Sequence, residues 1–107
     1  MAELTRGAIC SVRLARSNRR EQSGRRYAIV VQTDDLWLLS TVVVVPTSTS
    51  ARPATFRPEV VVAGQRTRAL CEQVRTVDAQ RLDEMVGILT AAELRSVEDA
   101  LQIVLEL

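Results

Sequence analysis

The 107-residue chain contains no lysine and no histidine, so all 14 of its basic residues are arginine. Without histidine there is no Ser-His-Asp triad and no imidazole acid–base pair. Without lysine there is no Schiff-base chemistry and no P-loop ammonium. Cysteine is also scarce. Cys10 and Cys71 lie far apart in a chain without histidine, which closes off nearly every zinc site and leaves no metal motif. Both are expected to be small buried hydrophobes in a reducing compartment. No apolar run approaches the ~20 residues of a membrane helix, and Met1 to Gly7 carries no signal-like apolar region. A cytoplasmic protein without membrane contact is expected, and its catalytic toolkit is reduced to Arg, Glu, Asp, Ser, Thr and Tyr.

What is present is ordinary for a globular domain, with 47% hydrophobic and 25% charged residues. Aromatics supply only 3%, so aliphatic runs must build the core: Ile29 to Val31, Val42 to Val45, and Val60 to Val62. The length suits one domain over 1–107, burying more than ~60% of its unfolded surface. The net charge of +1 conceals a split. Residues 1–75 carry twelve arginines against six acids, and residues 76–107 carry two against seven. The basic part suits a polyanion, and the acidic part suits a solvated helix face.

The first two thirds of the chain have a β pattern. Ile9 to Leu14 alternates apolar and polar, as a half-buried strand does. Ala15 to Arg26 is an arginine-rich connection without periodicity, of a length that is usually functional or disordered. Tyr27 to Gln32 is apolar enough for burial on both faces. Asp34-Asp35 makes a turn, and Leu36 to Leu39 is a short apolar segment of either type. Thr41 to Val45 is a strand that Pro46 is expected to end. A second exposed connection, Thr47 to Arg57, leads to a strand over Glu59 to Val62, and Thr67 to Glu72 suits another. Asp78 can cap a helical turn reaching Glu84. Thr90 and Glu93 form a capping box before Leu94, Val97, Leu101, Val104 and Leu105, which recur at helical spacing. A helix over roughly 90–105 follows.

Three polar clusters could carry chemistry. In the first connection, Arg19, Arg20, Glu21, Gln22, Arg25 and Arg26 precede a buried strand, and guanidinium forks match phosphate oxygens. The same composition describes a solvated charged loop. Thr47, Ser48 and Thr49 offer hydroxyl donors to a phosphate or a developing oxyanion, with Arg52 nearby. Polar turn residues do the same duty without function. Gln73 and Arg75 would share one face of a strand, with Val74 on the other. They also suit satisfied polar groups at a strand end. Phe56 offers a stacking ring, whereas Tyr27 and Trp37 read as core or edge packing. One reaction needs no protein nucleophile and no metal, namely RNA transesterification, in which the substrate's own 2′-OH attacks phosphorus. The composition permits that reaction without singling it out.

In order along the chain stand Arg6-Gly7, Gly24-Arg25-Arg26 before Tyr27 to Gln32, and Ser40 to Pro46. They are followed by Glu72-Gln73-Val74-Arg75-Thr76-Val77-Asp78, Arg81-Leu82, Val86-Gly87, and a helix containing Asp99-Ala100-Leu101. This ordered set resembles the MazF/PemK toxin family and covers nearly the whole chain. The resemblance implies a mainly β fold, an SH3-like β barrel with an amphipathic C-terminal helix, working as a homodimer. It implies a sequence-specific, metal-independent endoribonuclease that cuts single-stranded RNA, leaves a 2′,3′-cyclic phosphate and a 5′-OH, and is neutralised by a cognate antitoxin. No cofactor is implied.

By position, Arg26 matches the family's active-site arginine and Ser48 its active-site threonine. Glu21 and Gln22 match a first-loop Glu-Gln pair, with Glu21 the nearby carboxylate available as a base. Gln73 and Arg75 match a Gln-x-Arg-Thr segment near the RNA groove. With the flanking Arg19, Arg20, Arg25, Thr47, Thr49 and Arg52, these form the expected RNA-contacting set. Three residues depart from the pattern: Tyr27 follows the arginine where proline is usual, Ala8 replaces an acid, and Ser48 replaces threonine. The alternative is a non-catalytic CcdB-like toxin that binds a protein target such as gyrase.

Overall fold

A computed structural model of the chain describes residues 4–13, 26–36 and 40–107. The expected site residues Arg19, Arg20, Glu21, Gln22 and Arg25, with Trp37, lie outside the described residues.

Seven strands form one curled antiparallel sheet: β1 (Ala8–Val12), β2 (Arg26–Val30), β3 (Thr41–Ser48), β4 (Glu59–Val62), β5 (Gln65–Ala69), β6 (Arg75–Asp78) and β7 (Leu82–Ile88). The order is β4-β5-β3-β2-β1-β7, with β6 added to β3. Among the described residues, one α-helix, α1 (Ala91–Leu105), follows. Among the described residues no helix is long and apolar enough to cross a membrane.

The architecture turns on β3. It pairs β2 along one edge, from Ala28↔Pro46 to Val30↔Val44. Along the other edge its first half pairs β6 (Thr41↔Asp78 to Val44↔Arg75), and its last two residues pair β5 (Thr47↔Ala69, Ser48↔Arg68). A strand with three partners forces the sheet to curl. The strand continues through Pro46 to Ser48, beyond its expected end. The physical reason is that Pro46 sits in the gap between β6 and β5, where no ladder N–H is called for. Its carbonyl is still used, accepting the Leu70 amide at 2.8 Å.

Side-chain alternation splits the apolar residues between the two faces of the sheet. Ile29, Val45, Val60 and Val62 pack with Val97, Ala100 and Leu101 of α1. Cys10, Ala28, Val30, Val42 and Val44 fill the other face beneath Val77, Ala79 and Leu82. Burial of β2 on both faces is as its unbroken apolarity predicts. Each fully buried branched aliphatic contributes about 1.5–3 kcal/mol. With few aromatics available, stability rests on many such small terms.

Where the sequence predicts a helical turn from Asp78 to Glu84, the chain instead forms strand β7 from Leu82. The Asp78 cap is present, accepting from the Gln80 amide at 2.9 Å, but the turn it starts is a short 3-10 segment, Ala79–Arg81. The pairing of β1 with β7 shifts register twice, between Ile9 and Cys10 and between Cys10 and Val12. Such bulges break the period-2 signal that would mark a strand. Similarly, β5 spans Gln65–Ala69 rather than Thr67 to Glu72, and Cys71–Gln73 form a 3-10 turn.

The Arg6-Gly7 motif is structural. Gly7 has φ of 95°, a left-handed conformation that disfavours any side chain. Its amide and carbonyl bond Val30 and Leu89. The Arg6 guanidinium pairs with Glu98 on α1 and donates to the Val31 carbonyl, while the Arg6 amide donates to Asp34. One residue therefore ties together the start of β1, the end of β2 and the helix.

Candidate active site

Registers bring the expected residues together. Two residues beyond the last β2–β3 partners, Ala28↔Pro46, Arg26 begins β2 and Ser48 ends β3, on the face shared with Val44, and both line one groove. Arg75 is paired with Val44, so it projects from that face too. Arg26 and Ser48 are half-buried and Arg75 is exposed.

The hydroxyl of Ser48 is fixed by its own turn. Ser48 Oγ accepts the Ser50 amide at 3.2 Å and lies 3.3 Å from Ser50 Oγ. Either hydroxyl can be the donor in that contact, and with Ser50 donating, the Ser48 proton points outward. Thr47 is different. It is buried, and its hydroxyl donates to the Tyr27 carbonyl at 3.1 Å. That bond locks β3 to β2 beside the site and leaves Thr47 only acceptor capacity toward a ligand.

Two grooves meet at this point. The first, of about 530 Å³, is lined by Arg26, Tyr27, the run Thr47 to Ser50, and Val62, Ala63, Gln65 and Thr67. The second, of about 570 Å³, has Ala28, Val44, Pro46 and Leu70 in its lining, together with Arg13, Arg26, Gln73, Arg75, Arg81 and Asp78. Arg26, Tyr27 and Thr47 belong to both. Four guanidiniums against one carboxylate make the second groove electropositive, suited to a phosphate backbone.

Of the expected residues, Arg26, Thr47, Ser48, Thr49, Gln73 and Arg75 line these grooves. Arg52 lines neither. Gln73 reaches the groove from a 3-10 turn, so the shared strand face expected for Gln73 and Arg75 does not exist. The turn is pinned by an ion pair in which Arg57 donates to one oxygen of Glu72 through Nη2 at 2.7 Å and Nε at 3.0 Å. The Arg57 hydrogen bonds hold the Glu72 carboxyl below its ordinary pKa, against the opposing effect of burial. Arg57 Nη1 also donates to the Arg52 carbonyl at 3.2 Å, and the Arg57 carbonyl accepts from Arg68 at 2.8 Å. Phe56, read as a stacking ring, lies instead beneath the Arg57 guanidinium at 5.5 Å. The connection after β3 is thereby fastened to the turn that carries Gln73.

Neither Arg13 nor Arg81, the latter part of the Arg81-Leu82 motif, is expected from sequence as a groove residue. Arg13 lies near the end of the first alternating run and Arg81 ends a 3-10 turn, and the pairing of β1 with β7 brings them to one groove. Arg13 Nη2 donates to the Gln80 carbonyl at 2.7 Å, which anchors it at the rim. Tyr27, read as packing, is half-buried against the core and lines both grooves. Strands over Glu59–Val62 and from Thr67 are expected from sequence, but neither their place beside the site nor Gln65 as a lining residue is. Cys10 and Cys71 are buried free thiols, as expected. Burial raises both pKa values, that of Cys71 to about 11, with the nearby Glu72 charge adding to it.

A guanidinium and a hydroxyl donor lining one groove from neighbouring strands can bracket a tetrahedral anion, with further arginines to hold its neighbours. Comparison with known proteins bears on this geometry. Residues 5–105 match the family model described as PemK-like, MazF-like toxin of type II toxin-antitoxin system. A Mycobacterium tuberculosis (strain H37Rv) protein named as a candidate toxin is 51% identical over 74 residues, covering 67% of this chain and 68% of the relative. Among solved structures, MazF from Deinococcus radiodurans superposes with a TM-score of 0.82 at 20% identity, covering 100% of both chains. A mycobacterial endoribonuclease in complex with its cognate antitoxin gives a TM-score of 0.81 at 18% identity, covering 97% of this chain and 96% of that one.

Proposed function

The chain belongs to the PemK-like, MazF-like toxin family of type II toxin–antitoxin systems, and from that premise we propose that it is a metal-independent, sequence-specific endoribonuclease acting on single-stranded RNA in the cytoplasm. The observation that carries the proposal is that Arg26 and Ser48, from the neighbouring strands β2 and β3, line one groove where it meets a second. The substrate's 2′-oxygen attacks the adjacent phosphorus and loses its proton to a base, while the P–O5′ bond breaks and the departing 5′-oxygen takes up a proton. The products are a 2′,3′-cyclic phosphate and a 5′-OH. Arg26 neutralises the phosphorane and donates toward the leaving oxygen. An arginine is a poor base, its pKa lying above ~12. Ser48, its acceptor side engaged by Ser50, donates to a non-bridging oxygen. Glu21 is the proposed base. Gln22, Arg19, Arg20, Arg25, Thr49, Gln73 and Arg75 supply contacts along the strand.

The protein works as a homodimer and is silenced by a cognate antitoxin. Support for the second partner comes from the basic grooves, which suit an acidic, coupled-folding segment. Structures of similar fold include a mycobacterial endoribonuclease with its cognate antitoxin and a MazE–MazF complex.

The test is end-mapping of a long, structure-poor RNA incubated with the protein in EDTA. Discrete cuts at one short recurring sequence, with 5′-OH ends, are expected. Arg26→Ala should abolish them, and Ser48→Ala should slow them by about 10²-fold, the scale of one lost oxyanion donor. Cutting that needs a metal, or survives loss of Arg26, refutes the mechanism. Intact RNA with folded native protein would instead favour a CcdB-like toxin directed at a protein target.

A further inference from the structure

We infer that the first groove is a nucleobase pocket completed by the β4–β5 hairpin, in which Gln65 reads the edge of one base beside the cut. The inference rests on the endoribonuclease reading and names what that site selects.

The pocket has three kinds of surface in one place. Tyr27 and Val62 give it apolar walls of the kind a base lies against. Ser48 and Arg26, both in its lining, put the proposed phosphate position at its edge. Gln65, exposed at the first position of β5, brings a carboxamide to the rim. A carboxamide offers a donor and an acceptor side by side, the pattern that pairs with the edge of a base. At the floor, Thr67 is 5% exposed, and among the described residues its hydroxyl has no hydrogen-bond partner. A hydroxyl that the protein itself leaves unengaged at the floor of a groove has its donor and acceptor open to a polar group that enters.

The hairpin is held for this purpose by its turn. Val62 pairs with Gln65, which leaves Ala63 and Gly64 as a two-residue loop with φ of 52° and 79°. Both residues are left-handed, as a type I′ turn requires. A tight turn of this kind fixes the first residue of the returning strand, here Gln65, more rigidly than a longer loop would. Because Gln65 is exposed and the chain reverses before it, its side chain can be changed without disturbing the core.

The test maps cut sites of the native protein, Gln65→Ala and Gln65→Glu on the same structure-poor RNA in EDTA, with melting temperatures measured in parallel. Both variants should keep the native melting temperature. Preference at one position flanking the cut should relax about tenfold, the loss falling on KM, the scale of one lost bidentate base contact. Thr67→Val, of the same shape, should melt no lower than the native protein and disturb the same position, whereas Thr67→Ser should restore it. A cut-site spectrum unchanged in Gln65→Ala and Thr67→Val overturns the inference while leaving the endoribonuclease reading intact. Native protein that cuts nothing overturns both.

Discussion

Glu93 is the residue whose removal tests the fold argument most sharply. One oxygen of its carboxylate accepts the Thr90 amide at 2.9 Å, closing the capping box that starts α1. The other accepts the Val61 amide at 2.9 Å, on the outer edge of β4. One side chain therefore caps a helix and covers an edge strand that would otherwise expose its donors. Its half of the capping box is worth about 1 kcal/mol. The charge-assisted bond to Val61, made near the surface, is worth about another. Glu93→Ala should then cost about 2 kcal/mol, or roughly 8 °C in Tm for a chain of this size. Glu93→Gln keeps one acceptor oxygen and presents an NH2 to the other amide, so it should lose about half as much. Thr90→Ala, which removes only the reciprocal bond to the Glu93 amide at 3.1 Å, should cost about 1 kcal/mol. Denaturant unfolding gives the energies, and hydrogen exchange at Val61 reports the edge directly. If Glu93→Ala costs no more than Thr90→Ala, or if Val61 exchange is unchanged, the bridging role is refuted.

The Arg57–Glu72 pair should show in the acid limb of stability. Because the folded state holds the Glu72 pKa below its unfolded value, its contribution is present above the ordinary glutamate range near ~4.3 and lost as pH falls through the lowered value. Unfolding followed from pH 6 to pH 2 should therefore show a shallower acid loss in Glu72→Gln than in the native protein, and equal slopes would refute the linkage. Cys71, its pKa raised to about 11, should stay a thiol at pH 8. Neither cysteine should react with a thiol reagent until the chain unfolds, and fast labelling of native protein would contradict the burial.

The elements that could be read from sequence are those whose signal is local. The Thr90–Glu93 capping box and the spacing of Leu94, Val97 and Leu101 need nothing beyond the helix itself, and α1 begins where they place it. The apolarity of Ala28 to Val30 reports burial on both faces whatever the partners are. Strand β7 failed because its signal is not local. Its bulged pairing with β1 destroys the alternation, and Gly87 interrupts what remains. The Cys71–Gln73 turn failed for a related reason. It is held by Arg57 from a distant connection, so no pattern within the turn itself announces it.

The candidate site lies between these cases. Arg26 and Ser48 were found by resemblance to a family and not by any rule of spacing, because their proximity is a matter of register across two strands. What creates the room around them can nevertheless be traced to one residue. Pro46 cannot donate a hydrogen bond, so no strand can run unbroken along that edge of β3. Partner β6 stops at Val44 and β5 takes over at Thr47, with the Pro46 carbonyl reaching across to Leu70. The chain must leave the sheet between β5 and β6, and it does so in the 3-10 turn that carries Gln73. That departure opens the wedge lined by Pro46, Leu70, Gln73 and Arg75 immediately beside Arg26. The proline expected to end the strand thus divides its edge between two partners, and the second groove is the space left by that division.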